Sequence, residues 1–286
     1  MKLVTFAVDG SERVGAVVGD SVVDLSRGSF PQTMIGLIAG WSGVEADLRR
    51  FVANAKPDFA LSQVRLRAPV PHPPKILAIG LNYADHIAET GREKPTQQVW
   101  FAKMSNAVNG PFDAIEKPKA SDQVDYEAEL VFIIGKKCRH VPKEKAHEVI
   151  FGYCAGNDVS VRDWQWATPQ WIIGKSFDTH APFGPWIVTA DEIGDPHTLG
   201  IRCLVNGAVR QNSNTRELVF NVFDQVAHLS KAMTLEPGDA IFTGTPGGVG
   251  AAMKPPSFLK AGDTVRIEID KIGALEARVS LEGDKL

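Results

Sequence analysis

The chain has 286 residues, 44% of them hydrophobic, enough for a continuous core in one large domain or in a major domain with a smaller appendage. Its 31 Lys and Arg are spread among 34 Asp and Glu for a formal net charge of -3, with no basic cluster of the kind that tracks a phosphate backbone, which argues against nucleic acid as a partner. Three cysteines, Cys138, Cys154 and Cys203, form no CxxC pair and cannot all be bridged, so a disulfide scaffold and a thiolate zinc site are disfavoured.

The N-terminus turns polar at Asp9-Gly10, too early for a signal-peptide apolar core, and no later stretch reaches the ~18 uninterrupted apolar residues of a membrane span. A soluble cytoplasmic protein with no membrane partner is the expectation. The first segment reads as a β meander: Lys2 to Val8, a turn at Asp9-Gly10, Val14 to Val18, a turn at Gly19-Asp20, then Val22 to Leu25. Helical periodicity follows between Thr33 and Val52. Four prolines between Arg67 and Pro74 suit a connector, and a boundary there divides a small N-terminal α/β domain, residues 1–70, from a larger one, 71–286.

Beyond the boundary, Lys75 to Ile79 is a short apolar strand, and Val124 to Ile134 a longer one rich in β-branched and aromatic residues. Asn206-Gly207 is a hairpin signal, because both residues accept the positive φ angles of a type I′ turn. Val219, Val222, Phe223, Val226, Leu229 and Met233 recur at helical spacing, with Asn214 or Thr215 available as a cap and Pro237-Gly238 beyond the end. Ala240 to Thr243, the alternating Val265, Ile267 and Ile269, and Leu275 to Leu281 return to strand. Strand signals outnumber helices, do not alternate regularly with them and show no repeat, which points to a β-rich, mixed α+β fold.

Chemistry concentrates where the long strand begins. Glu127 and Glu129 sit two positions apart, so a continuous strand would point both at one face, ~7 Å apart. Such a face is either a solvated sheet edge or, since an apolar run follows at once, a site where a divalent cation offsets the repulsion. Such an ion wants further oxygen ligands, and Asp158, in the irregular stretch after Gly156-Asn157, is a candidate, with a turn-capping role as the alternative. His86 and Glu89 are three apart, one helical turn, where a carboxylate can orient an imidazole as a general base or where both can simply be surface residues. Thr243 to Gly250 lacks the Gly-Lys-Ser/Thr ending of a P-loop, which rejects nucleotide binding. Its glycines could present N–H groups to a carboxylate, or form a plain tight loop.

Five motifs together carry a resemblance: Gly80-Leu-Asn-Tyr-Ala-Asp-His-Ile-Ala-Glu89, Asp125-Tyr-Glu-Ala-Glu129, Asn157-Asp-Val-Ser-Val-Arg-Asp-Trp-Gln165, Gly174-Lys-Ser-Phe-Asp178 and Thr243-Gly-Thr-Pro-Gly-Gly-Val-Gly250. From about Lys75 to near the C-terminus the chain resembles the fumarylacetoacetate hydrolase superfamily, and within it the two-domain bacterial acylpyruvate and 2,4-diketo-3-deoxy sugar acid hydrolases. The resemblance implies a mixed β-sandwich roll and metal carboxylates at Glu127, Glu129 and Asp158. It also implies catalytic residues His86, Glu89 and Lys175, substrate contacts at Arg162, Gln165, Gly244 and Thr245, and a homodimer. The polar segment Gly91 to Gln98 has the composition of a mobile lid.

Three hard oxygen ligands favour Mg²⁺ or Mn²⁺. Three carboxylates against one divalent ion leave about one negative charge, so an anionic 2-oxo acid needs cations nearby, which Lys175 and Arg162 can supply. Arg162 could instead pair structurally with Asp163 or Asp158. The expected reaction is hydrolysis of a carbon–carbon bond in a 2-oxo acid of the acylpyruvate or fumarylpyruvate type, with His86 activating water and Lys175 helping to stabilise the departing enolate. The same enolate arises in oxaloacetate decarboxylation and in keto–enol tautomerisation, which are the alternatives, and a non-catalytic metal-stabilised binding protein is a third.

Overall fold

The structure, a computed structural model, describes residues 1–91 and 93–284. Arg92, in the expected lid, lies outside the described residues, as do Lys285 and Leu286.

Two packed sheets dominate the described residues, as the strand-rich sequence implied. The larger has twelve strands, and its main path runs Phe59–Ala60, Ser21–Asp24, Ser11–Val18, Lys2–Val8, Ala181–Thr189, Ile150–Asn157, Ala128–Ile134, Ala240–Phe242, Ile76–Gly80, Val99–Ala102. The smaller runs Ala208–Asn214, Gly200–Val205, Thr264–Ile269, Gly273–Leu281, Ile115–Lys117. The strand Ala128–Ile134 explains the layering: every residue is buried, because even positions face one apolar cluster and odd positions another. Leu130, Phe132 and Ile134 pack with Ile201, Val265, Ile267 and Leu275 of the smaller sheet. Val131 and Ile133 pack with Leu3, Leu37, Leu48 and Phe183, residues that come partly from the N-terminal segment.

That segment joins the same sheet. Lys2 and Leu3 pair with Val188 and Ile187, and the Thr5 hydroxyl donates to Pro69 O at 2.7 Å across the proline-rich stretch. The expected helix over residues 33–52 is two helices, Met34–Ala39 and Trp41–Asn54, broken at Gly40, with Thr33 capping the first. The helix expected from Val219 starts later, at Val222, and its cap is Asn221, whose side chain accepts from Phe223 N and Asp224 N; Asn214 caps the short 3-10 turn Thr215–Glu217 instead. The hairpin at Asn206-Gly207 has φ of 52° and 78°, as its turn type requires. All three cysteines are free. Among the described residues no helix is long and apolar enough to cross a membrane.

Candidate active site

The expected strand from Val124 to Ile134 is not continuous, and the break makes the site. Val124–Asp125 pairs with Ser160–Val161, whereas Ala128–Ile134 pairs with Ile150–Asn157, so Tyr126 and Glu127 lie in a gap between two ladders. Glu127 N donates to the Asn157 side chain and Asp158 N donates to Glu127 O, both at 2.9 Å. These bonds set Glu127 beside Asp158, while Glu129 arrives from the strand proper. Convergence therefore does not depend on period-2 spacing. One oxygen from each of the three carboxylates lies within 4.8 Å of the other two, and all three residues are buried.

Buried cations surround them. Lys175 Nζ donates to Glu127 Oε2 and Asp158 Oδ2, each at 2.7 Å. Arg162 binds Asp125 Oδ2 through Nε at 2.9 Å and Glu127 Oε1 through Nη1 at 2.6 Å, so its partners are Asp125 and Glu127, not Asp163 or Asp158. Lys103, absent from the sequence reading, donates to Asp158 Oδ1 at 2.5 Å and to Val159 O at 3.2 Å, and its side chain is wholly buried. No motif around Lys103 marks it. It enters the site because it directly follows the strand Val99–Ala102, which pairs with Ile76–Gly80 at the sheet edge, and its own N–H donates to Ile76 O at 3.0 Å.

The electrostatics separate the three ligands. Burial pushes the Glu127 carboxyl up, but Lys175 and Arg162 outweigh it and hold it at about 2. Burial, reinforced by Asp158 and Glu127, pushes Glu129 well above the usual carboxylate range. Burial likewise lowers Lys103, against the pull of Asp158, whereas at Lys175 the attraction of Asp158 and Glu127 overcomes burial and raises it. Burial beside Asp158 and Glu127 favours the protonated form of Glu129 where no ion is bound. With a divalent ion in place of that proton, four carboxylates including Asp125 face three cations and the ion, a surplus of about one positive charge that suits an anion. Among the described residues, Glu127 Oε2 and both oxygens of Asp158 each accept one hydrogen bond from a lysine, Glu127 Oε1 is ion-paired with Arg162, and Glu129 accepts one bond, from Gly244 N, so lone pairs remain on all three. The donor set thus fits a hard divalent cation.

Opposite the carboxylates stands the helix Ala84–Thr90, with His86 and Glu89 on one turn as expected. His86 Nδ1 lies 3.3 Å from Glu89 Oε2, and both residues line a cavity of about 340 Å³ together with Glu127, Glu129, Arg162, Gln165, Lys175 and Thr245. Burial raises the Glu89 carboxyl, but its bonds to His86 and to Gly248 N outweigh this and leave it lowered. Of the expected lid, Gly91 ends this helix as its C-cap, and residues 93–98 carry neither helix nor strand before Val99.

The glycine-rich loop does present N–H groups to carboxylates, and the carboxylates are the protein's own. Gly244 N donates to Glu129, Gly247 N to Asp85, Gly248 N to Glu89, and Gly250 N with Ala251 N to Asp125. Gly244, expected to touch substrate, is occupied by Glu129 and is not among the residues lining the cavity. Thr245 does line it, its hydroxyl accepting from Gln211 Nε2 at 2.7 Å, and Gln165 Oε1 accepts from Arg162 Nη1 at 2.9 Å. Glycine is required at position 248, where φ is +101° and a Cβ would lie 2.0 Å from Arg210 O.

Residues 75–280 match the family model described as "Fumarylacetoacetate (FAA) hydrolase C-terminal". The oxaloacetate tautomerase fahd2, mitochondrial, of Xenopus laevis is 43% identical over 283 residues, covering 96% of this chain and 89% of the relative. Mammalian relatives at 40 to 42% identity carry the same activity in their names. Among solved structures, the maleylpyruvate hydrolase of Sphingobium sp. SYK-6, in complex with manganese(II) and pyruvate, is 35% identical with a TM-score of 0.83, covering 98% of this chain and 99% of that one. A 5-carboxymethyl-2-hydroxymuconate delta-isomerase from Mycobacterium smegmatis is also 35% identical, with a TM-score of 0.78 over 99% of this chain and 100% of that one. Hydrolases and isomerases thus share the architecture, and the chain belongs to the fumarylacetoacetate hydrolase family of enzymes.

Proposed function

We propose that the protein is a divalent-metal-dependent keto–enol tautomerase of small anionic 2-oxo acids, with oxaloacetate the first substrate to test. The observation that carries this reading is an oxyphilic carboxylate triad, two of whose members, Glu127 and Glu129, line the same cavity as a carboxylate-oriented imidazole. The names of the relatives at 40 to 43% identity support it.

Glu127, Glu129 and Asp158 would hold Mg²⁺ or Mn²⁺, which supplies Lewis-acid polarisation of a 2-oxo carboxylate. With Nδ1 facing Glu89, His86 has Nε2 left to exchange a proton at C3 of the substrate, the atom that gains or loses hydrogen when enol and ketone interconvert. Lys175 adds positive charge beside the oxygen that turns enolate. Trp166, Trp171 and Phe101 line the same cavity and limit water around the reacting carbon.

Hydrolytic carbon–carbon cleavage is the second reading. It is favoured by the same His86–Glu89 pair, which can activate water, and by the manganese–pyruvate complex of the maleylpyruvate hydrolase. One panel separates the two: loss of the enol absorbance of oxaloacetate, pyruvate release from oxaloacetate, and acid release from acetylpyruvate, each with Mg²⁺ or Mn²⁺ and with a chelator. Tautomerisation is expected to be the fastest reaction and to stop with the chelator. Absent turnover with a metal-dependent rise in Tm would leave a binding protein instead.

A further inference from the structure

The helix that bears His86 is only seven residues long, and its cap residue Tyr83 makes no side-chain capping bond. Helices this short do not hold themselves in water, so the position of His86 is set by whatever ties the helix to the rest of the molecule. Within the helix itself only Ile87 is buried. Asp85 supplies a polar tie at the other end of the turn from Glu89. Its Oδ1 accepts from His86 N at 2.7 Å and from Gly247 N at 3.2 Å, and its Oδ2 accepts from the Ser213 hydroxyl at 2.5 Å.

One carboxylate therefore joins three elements: the base's own backbone, the glycine-rich loop and the strand Ala208–Asn214. Asp85 and Glu89 are four apart and share a helix face, and they take the neighbouring N–H groups of Gly247 and Gly248. Ser213 lies two residues from Gln211, on the same strand face, and Gln211 grips the loop from below at Thr245 Oγ1 and Pro246 O. The same loop holds Glu129 and Asp125 through Gly244 N and Gly250 N. Base and metal carboxylates are thus referenced to one loop, and on the base side the reference passes through Asp85.

We propose that Asp85 is a positioning residue, which seats the first turn of the helix on Gly247 and Ser213 so that His86 faces the carboxylate triad. Asp85 touches neither substrate nor metal ligand and acts through His86, so the proposal rests on the reading of His86 as the proton-exchanging group. In Asp85→Ala the three bonds are lost together, and kcat should fall about tenfold to a hundredfold, the scale of a misplaced catalytic group. Mn²⁺ affinity, read by titration calorimetry without substrate, should stay within about twofold because the triad's own bonds are intact. Asp85→Asn keeps an acceptor for Gly247 N and a partner for Ser213, and should recover most of kcat.

The test compares Asp85→Ala, Asp85→Asn and His86→Ala in the full chain, with kcat against pH, KM, Mn²⁺ affinity and circular dichroism measured for each. A lowered kcat with altered pH dependence in Asp85→Ala, recovered in Asp85→Asn, with Mn²⁺ binding unchanged, supports the proposal. Wild-type kcat in Asp85→Ala while His86→Ala is impaired overturns it and leaves the role of His86 standing. Equal loss of Mn²⁺ binding and kcat in Asp85→Ala also overturns it, because the residue would then hold up the whole site. Wild-type kcat in His86→Ala defeats the reading of His86 itself.

Discussion

The two walls of the cavity are built differently. The carboxylate wall rests on a strand buried on both faces and on three buried cations, each in direct contact with a carboxylate. The base wall is a seven-residue helix whose last turn is exposed, and polar bonds to a glycine-rich loop tie it down. The first wall is over-determined and rigid, so damage there should show in both folding and binding. The second is under-determined, so damage there should show mainly in rate.

Removing a ligand from the rigid wall tests this most severely. Asp158→Ala leaves Lys103 and Lys175 buried without one of their main partners and should destabilise the protein by about 3–5 kcal/mol, as well as abolish measurable Mn²⁺ binding. Denaturant unfolding and calorimetry check both, and unchanged metal affinity would remove Asp158 from the site. On the helical wall, His86→Ala should reduce kcat by roughly 10²–10⁴ while leaving Mn²⁺ affinity and Tm near wild type, since among the described residues its ring bonds only Glu89. A large loss of stability in this variant would erase the contrast between the walls.

Gly248→Ala attacks the loop on which both walls meet. The added Cβ collides with Arg210 O at a positive φ, so a loss of about 1–3 kcal/mol is expected, with a fall in kcat from displacement of Glu89. The smallest effect is a pH dependence. Glu129 in the metal-free fold titrates above its unfolded value of 4.5, so the fold binds the extra proton and loses stability as pH rises through that window. A divalent ion displaces this proton, and the rise in Tm on adding Mn²⁺ should therefore grow with pH across the same window. A rise that is independent of pH would mean that Glu129 is already ionised in the metal-free protein.

Much of this is legible in the amino-acid sequence. The triad Glu127, Glu129 and Asp158, the His86–Glu89 turn, and Lys175 were all marked by residue type in short motifs; the structure brings the three carboxylates within 4.8 Å of one another and sets Glu127, Glu129, His86, Glu89 and Lys175 around one cavity. Local rules placed the hairpin at Asn206-Gly207 and most strands, because turn chemistry and alternation act over a few residues. They failed where a distant partner decides. The break at Tyr126-Glu127 exists because Asn157 and Asp158 capture the backbone of Glu127. The later start of the final helix follows from the side chain of Asn221, which out-competes the earlier candidates by bonding two helical N–H groups.

By itself, then, the sequence determined the chemistry available: oxygen ligands for a hard cation, an imidazole with an acidic neighbour, and a cation to meet an anionic substrate. Residue identity settles donor type and charge without reference to the fold. Only the tertiary structure decided how those groups are used. Lys103 and Asp125 enter the charge balance, Arg162 is bound to protein carboxylates, and the glycines serve the enzyme's own acids because strands far apart in the chain lie side by side. Burial there removes water, so each charge must find a partner that only the assembled fold can supply.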